Sequence, residues 1–198
     1  MKKIYLTLAI AILGMVGLNA QSTARFGITG GLLNVDANIK LSALGFNIAD
    51  IDAINETGFY VGAFADIAAT NKLHIQPEFL YSKAGDLGFF HLPVMVKYYI
   101  ADKFNLQFGP ELSFSTDLND IKDQIKSIEE LIDENLNVED ALRTTGVDLA
   151  FGAGYDINEN FMVQARYAIE LTDRYSGPLG GSIDVKPGML FVGVGYRF

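Results

Sequence analysis

The chain has 198 residues, with 24 acidic against 15 basic, 20 glycines, 12 % aromatics, and neither cysteine nor tryptophan. That length is one domain, and the acidic balance excludes nucleic acid as a partner, which calls for a basic patch. The lack of cysteine excludes a disulfide framework, a thiolate metal site and a lipid-modified cysteine.

Residues 1–20 read as a secretory signal. Lys2 and Lys3 make the basic start, Ile4–Leu18 is an apolar run, and Leu18-Asn19-Ala20 precedes Gln21 as a cleavage point. The run is short of the ~20 apolar residues that a spanning helix needs. An uncleaved N-terminal anchor is the other reading. Removing Lys2 and Lys3 leaves 13 basic against 24 acidic residues, a net charge of −11 on residues 21–198.

Eight segments alternate apolar with polar or small residues: Ala24–Leu33, Gly58–Ala68, Lys72–Ser82, Phe89–Ala101, Lys103–Ser115, Gly146–Asp156, Asn160–Thr172 and Gly188–Phe198. Each reaches the roughly 9–11 residues with which a tilted strand crosses a bilayer. Short connections at Thr70-Asn71, Asp102 and Ile157-Asn158-Glu159 alternate with longer ones at about 34–57, 83–88, 116–145 and 173–187. Asn and Asp suit tight turns. Short turns at one end and long loops at the other are the layout of an outer-membrane barrel, with the turns in the periplasm and the loops outside.

Strand alternation sorts the side chains onto two faces. One face carries Phe26, Ile28, Leu32, Phe59, Val61, Phe79, Phe90, Leu92, Phe104, Leu106, Phe108, Phe151, Val163, Val192 and Val194, and no charge. The other carries Arg25, Asp66, His74, Gln76, Glu78, His91, Lys97, Asn105, Gln107, Glu111, Asp148, Gln164, Arg166, Glu170 and Arg197. A soluble barrel would turn the apolar set inward. Two features favour the opposite. An eight-strand interior is only just wide enough for its side chains, and the apolar set is bulky. Its aromatics also gather toward strand ends, where membrane girdles lie. The expected fold is an all-β, eight-stranded antiparallel up-and-down transmembrane barrel over residues 21–198.

Specific stretches carry a resemblance. They are Thr57-Gly-Phe-Tyr-Val-Gly-Ala-Phe-Ala-Asp66, Leu73-His-Ile-Gln-Pro-Glu-Phe-Leu-Tyr-Ser-Lys83 and His91-Leu-Pro-Val-Met-Val-Lys-Tyr-Tyr99. Phe108-Gly-Pro-Glu-Leu112, Phe151-Gly-Ala-Gly-Tyr155, Gln164-Ala-Arg-Tyr167 and Gly195-Tyr-Arg-Phe198 extend it. In these the chain resembles the PorT-like outer-membrane β-barrel family of Gram-negative bacteria, over nearly all of the domain except the loops 34–57 and 116–145. The resemblance implies an integral barrel in the cell outer membrane. It also implies that the terminal strand, through Tyr196 and Phe198, is read by the barrel assembly machinery. It implies little about activity.

The inward charges nearly balance, and buried charges persist only when paired and hydrogen-bonded. The sequence therefore predicts an ion-pair network of Glu78, Lys97, Glu111, Asp148, Arg166 and Glu170 that plugs the barrel, with Arg166 or Lys97 between carboxylates. A narrow channel is the alternative, and its lining would carry one dominant sign. The catalytic candidate is His91, placed opposite Ser113 with Glu111 one diagonal away, as in an activated nucleophile; that reading is a lipid-modifying hydrolase. The expectation is no enzyme, no cofactor and no metal site, since two distant histidines lack ligand spacing.

Residues 117–140 hold nine acids and an apolar stripe, Leu118, Ile121, Ile125, Ile128, Ile132 and Leu136, at helical spacing. A weaker stripe runs through Leu41, Leu44, Ile48 and Ile51. Both suggest helices in outer loops. The expected role is structural or surface-interacting through those loops. The expected partners are outer-membrane lipids, the assembly machinery, and a protein or surface at the loops.

Overall fold

The structure, a computed structural model, describes residues 24–43, 46–116, 145–172 and 183–198, with backbone alone for 37–54 and 183–186. The signal-like residues 1–20 and the predicted helix at 117–140 lie outside the described residues, as do 173–182.

Eight strands form: β1 Ala24–Ala43, β2 Phe46–Ala68, β3 Leu73–Ala84, β4 Leu87–Tyr99, β5 Phe104–Ser115, β6 Thr145–Asp156, β7 Phe161–Glu170 and β8 Ile183–Arg197. Each pairs antiparallel with its neighbours in sequence, and β8 closes on β1 from Gly27↔Arg197 to Leu41↔Ile183. Closure is obligatory here, because an open edge in hydrocarbon would leave each backbone group unsatisfied at a cost of several kcal/mol.

Three tight turns gather at one end. Thr70 Oγ1 accepts the backbone N–H of Lys72 and of Leu73 at 3.2 and 2.9 Å. Asn158 Oδ1 accepts those of Asn160 and Phe161 at 2.9 and 2.8 Å. In both, a short polar side chain takes the place of a backbone partner and reverses the chain. The start of β1 and the end of β8 lie at this turn end.

The opposite end departs from expectation in two places. The connection expected at 83–88 is a two-residue turn, Gly85-Asp86, between β3 and β4. Gly85 has φ +56°, a conformation that glycine adopts without the Cβ penalty. The connection expected at 34–57 is mostly strand. β1 and β2 pair on to Ala43↔Phe46, with register shifts between Ala37/Asn38 and Leu41/Ser42. Leu41, Ile48 and Ile51 thus lie on strands, not on a helix. The apolar spacing of three and four that suggested a helix is here spread over a bulged hairpin, where tertiary pairing outweighs a weak periodic signal.

Because β2 pairs with β3 only from Gly58 onward, the hairpin continues beyond β3 with β8 as its third strand. From Gly58 to Phe46, β2 extends roughly 40 Å at ~3.4 Å per residue. The result is a three-stranded ribbon rising from one side of the barrel.

Burial alternates along the strands as the two-face reading requires. In β5 the even-numbered Phe104, Leu106, Phe108 and Phe114 are exposed, while Asn105, Gln107, Glu111 and Ser113 are buried. The exposed set includes Phe26, Leu32, Phe79, Val96, Tyr98, Phe151, Val192 and Phe198, and no lysine or arginine lies among these band positions. Large inward rings also pack inside. Tyr60 meets Phe191 edge-on at 5.3 Å, and Phe64 is buried beside them. Glycines on β1 and β8 make room: a Cβ on Gly27 would run into the Phe64 ring, and one on Gly193 into the Tyr60 hydroxyl.

The band predicts a position-dependent penalty. Phe108→Arg, in the middle of the band, is expected to lower unfolding stability in lipid vesicles by about 2–4 kcal/mol, and Phe114→Arg, near a strand end, by about 0–1 kcal/mol. Denaturant titration of the refolded protein measures both. Equal small effects would contradict the lipid-facing assignment.

Candidate functional site

The inner face holds the chain's concentrated chemistry, and the strands position it in layers. Nearest the turns, Asp66 on β2 is the hub. Its Oδ1 lies 2.6 Å from His74 Nδ1 on β3; its Oδ2 lies 3.5 Å from Lys97 Nζ on β4 and 3.2 Å from Arg197 Nε on β8. Arg197 also reaches Asp156 at the end of β6, which accepts the Tyr99 hydroxyl at 2.8 Å. Arg197 bridges Asp66 and Asp156 directly, while Lys97 pairs with Asp66 and reaches Glu78 through Gln76. Neither Asp156 nor Tyr99 is among the lining residues expected from the sequence. The parity of their strands places both inside.

At mid-height Arg166 on β7 crosses to Glu78 on β3 in a two-pronged pair, Nη1–Oε1 2.7 Å and Nη2–Oε2 2.9 Å. The guanidinium fork matches a carboxylate in this way. Gln76 Nε2 donates to Glu78 Oε1 at 2.7 Å, and Lys97 Nζ donates to Gln76 Oε1 at 3.0 Å. Gln76 therefore links the Arg166–Glu78 pair to the Asp66 hub. The Lys97 ammonium stands over the Tyr99 ring, 5.9 Å from its centroid, and touches Met162 Sδ.

Toward the other end, Glu111, Asp148 and Glu170 stand on neighbouring strands, in register as Glu111↔Asp148 and Asp148↔Glu170. All three are buried. Glu111 Oε1 lies 2.7 Å from His91 Nδ1, and Glu170 accepts the Thr172 hydroxyl at 3.0 Å. The six predicted residues all lie on the inner face. Glu78 and Arg166 meet directly, Lys97 joins them through Gln76, and Glu111, Asp148 and Glu170 stand side by side across β5, β6 and β7.

His91 does pair in register with Ser113, but its Nε2 lies 2.7 Å from Ser82 Oγ on β3. The serine on the imidazole is therefore Ser82. It sits on the strand before β4, two residues on from the Leu80↔His91 pair, and the β3–β4 turn that brings it there is shorter than the sequence suggests. Serine, histidine and carboxylate thus follow the order of an activated nucleophile. Their surroundings are closed. Ser82 and His91 are each 0 % exposed. Phe191 stands edge-on to the imidazole at 5.2 Å and Phe89 lies 5.8 Å away. Leu33, Val35, Ala84, Leu87 and Met189 are buried inward on the same end of the barrel. Among the described residues, no group of three His, Asp or Glu side chains is placed to hold a metal ion.

An uncharged aromatic outer band, a closed antiparallel sheet and charges confined to the interior together define a transmembrane β-barrel of the outer-membrane class. The chain belongs to the outer membrane protein beta-barrel domain family, whose model matches residues 6–198. It is a protein of the outer membrane. No curated protein matches the sequence. Among solved structures it is similar to Ail, the attachment invasion locus protein of Yersinia pestis, at 16 % identity over 88 % of this chain and 99 % of that one, TM-score 0.46. It is similar to Neisserial surface protein A at 16 % identity, 89 % and 99 % coverage and TM-score 0.46. It is also similar to outer membrane protein W of E. coli at 17 % identity, 90 % and 100 % coverage and TM-score 0.41.

Removing one partner of a buried pair strands the other. Arg166→Met is expected to destabilise the barrel by about 3–5 kcal/mol, whereas Arg166→Met combined with Glu78→Leu recovers most of that loss. A double-mutant cycle from denaturant titrations measures the coupling; additive effects would show that the pair does not act as a unit.

Proposed function

We propose that this protein is a plugged outer-membrane barrel that works through what it displays outside the cell. The observation that carries the reading is the interior. A chain of ion pairs and hydrogen bonds runs from Asp156 through Arg197, Asp66, Lys97, Gln76 and Glu78 to Arg166. At the far end the buried Ser82, His91, Glu111, Asp148 and Glu170 are packed among Leu33, Val35, Leu87, Phe89 and Met189. Cations and anions alternate along that chain, whereas a conducting bore favours one sign along an open lining. The same closure argues against the hydrolase reading, since no substrate carbonyl reaches Ser82 through Phe89 and Phe191.

The three-stranded ribbon supports the display role. With the tight turns in the periplasm, it projects from the outer surface, where a structural or surface-interacting protein meets its partner. The stretches quoted above favour a PorT-like branch of the family. Tyr196 and the exposed Phe198 at the end of β8 form the segment that the assembly machinery reads, and lipid is the partner of the whole outer band.

Two measurements test this. In planar bilayers the wild-type barrel is expected to give no steady unitary currents; regular conductance steps would overturn the plug. Replacing Asn38–Asp52 by an Asn-Gly turn is expected to leave a barrel that still shifts its gel mobility on boiling while abolishing attachment of expressing cells to host-matrix or neighbouring-cell surfaces. Unchanged attachment would remove the ribbon from the function.

A further inference from the structure

The lipid-facing band is not uniform. Across β5–β8 near the turn end, the outer face is indented by a groove of about 400 Å³. Its floor is the cross-strand pair Ala153↔Ala165 together with the backbone of Gly154 and Gly193. Phe104 and Tyr155, paired in register, form the wall nearest the turns, and Val192 and Val194 form the far side. On the next row toward mid-membrane, Phe151 and Tyr167 meet edge-on at 6.0 Å and close the groove above. The indentation comes from two alanines set where neighbouring rows carry rings.

The site has a polar foot. Lys103 immediately precedes Phe104, and its exposed ammonium reaches across from the β4–β5 turn to donate to the Ile157 carbonyl in the β6–β7 turn at 3.2 Å. An ammonium has three N–H donors, so two remain for an acceptor at the membrane surface. Two exposed acids flank it: Asp102, beside it in the β4–β5 turn, and Glu159, on the β6–β7 turn.

We propose that this groove is a binding site for one phospholipid of the periplasm-facing leaflet. One acyl chain lies over Ala153 and Ala165, and the phosphate is held by Lys103. Three observations select that occupant. The groove is continuous with the lipid-facing band, so acyl chains are already its solvent. Its walls are apolar while a cation stands at its interfacial end, which matches the order of groups along a phospholipid. Its orientation places the cation at the headgroup level of the leaflet that the turns face. The driving force is contact rather than desolvation, since lipid tails are as apolar as the walls. A dent that a chain fills regains dispersion contacts that a flat face never loses.

The test is native mass spectrometry of the full chain released from mild detergent after exposure to phosphatidylethanolamine and phosphatidylglycerol vesicles. Wild type is expected to keep one phospholipid per barrel. A153L/A165L, which fills the floor, is expected to lose at least about tenfold in retained lipid. A63L/A65L, which adds the same bulk to the outer face of β2, is expected to keep it. Lys103→Ala is expected to weaken retention without touching the barrel wall, and it serves as the second probe should A153L/A165L not fold. Heat-dependent gel mobility checks that each variant is a barrel. Equal retention by wild type, A153L/A165L and Lys103→Ala would overturn the site. So would no retention by wild type, or a second copy of the chain occupying the groove in place of lipid.

Discussion

A peptide group in hydrocarbon has no water to fall back on, and the closing of β8 onto β1 is the constraint from which the rest of this structure follows. Closure fixes an interior too narrow to stay empty and enclosed enough that each unpaired polar atom is costly. It also fixes strand parity, because every residue is assigned to lipid or to the interior with no third option. The charges are inside because closure leaves them nowhere else within the membrane band.

Inside, the same constraint explains why the polar residues come as a linked set. Asp66 touches groups from β3, β4 and β8, and Gln76 bridges that hub to the Arg166–Glu78 pair. Such a network is favourable only when its members are satisfied together. The far end is filled differently, with Leu33, Val35, Leu87, Phe89 and Met189 packed as in a soluble core. The barrel therefore has a continuous ionic network toward the turns, and toward the loops a lining in which apolar side chains surround His91 and the carboxylates Glu111, Asp148 and Glu170.

Much of this was legible from period-two alternation. Phe104–Phe114 gave lipid and lining positions directly, and the His91↔Ser113 register followed from the turn near Asp102. What the alternation could not convey was which inward side chains meet across the barrel. Arg166 and Glu78 are on strands that are not neighbours, and Ser82 reaches His91 because a two-residue turn at Gly85-Asp86 draws β3 and β4 together. Inward rings such as Tyr60 and Phe191 were invisible for another reason: a ring reads as lipid-facing until parity is enforced to the end of the strand. The ribbon of β1, β2 and β8 was hidden because its bulges break the alternation that defines a strand.

Arg197 sits on the last strand, next to the C-terminal Phe198, yet its contacts are to Asp66 on the second strand and Asp156 on the sixth. Until that strand arrives, both carboxylates face an interior lacking their guanidinium. The electrostatic completion of the lumen and the completion of the backbone ladder are therefore the same event. A chain that stops short of β8 is both open at its seam and negatively unbalanced at its base. A single side chain beside the C-terminal residue thus ties the seam of the sheet to the charge balance of the lumen.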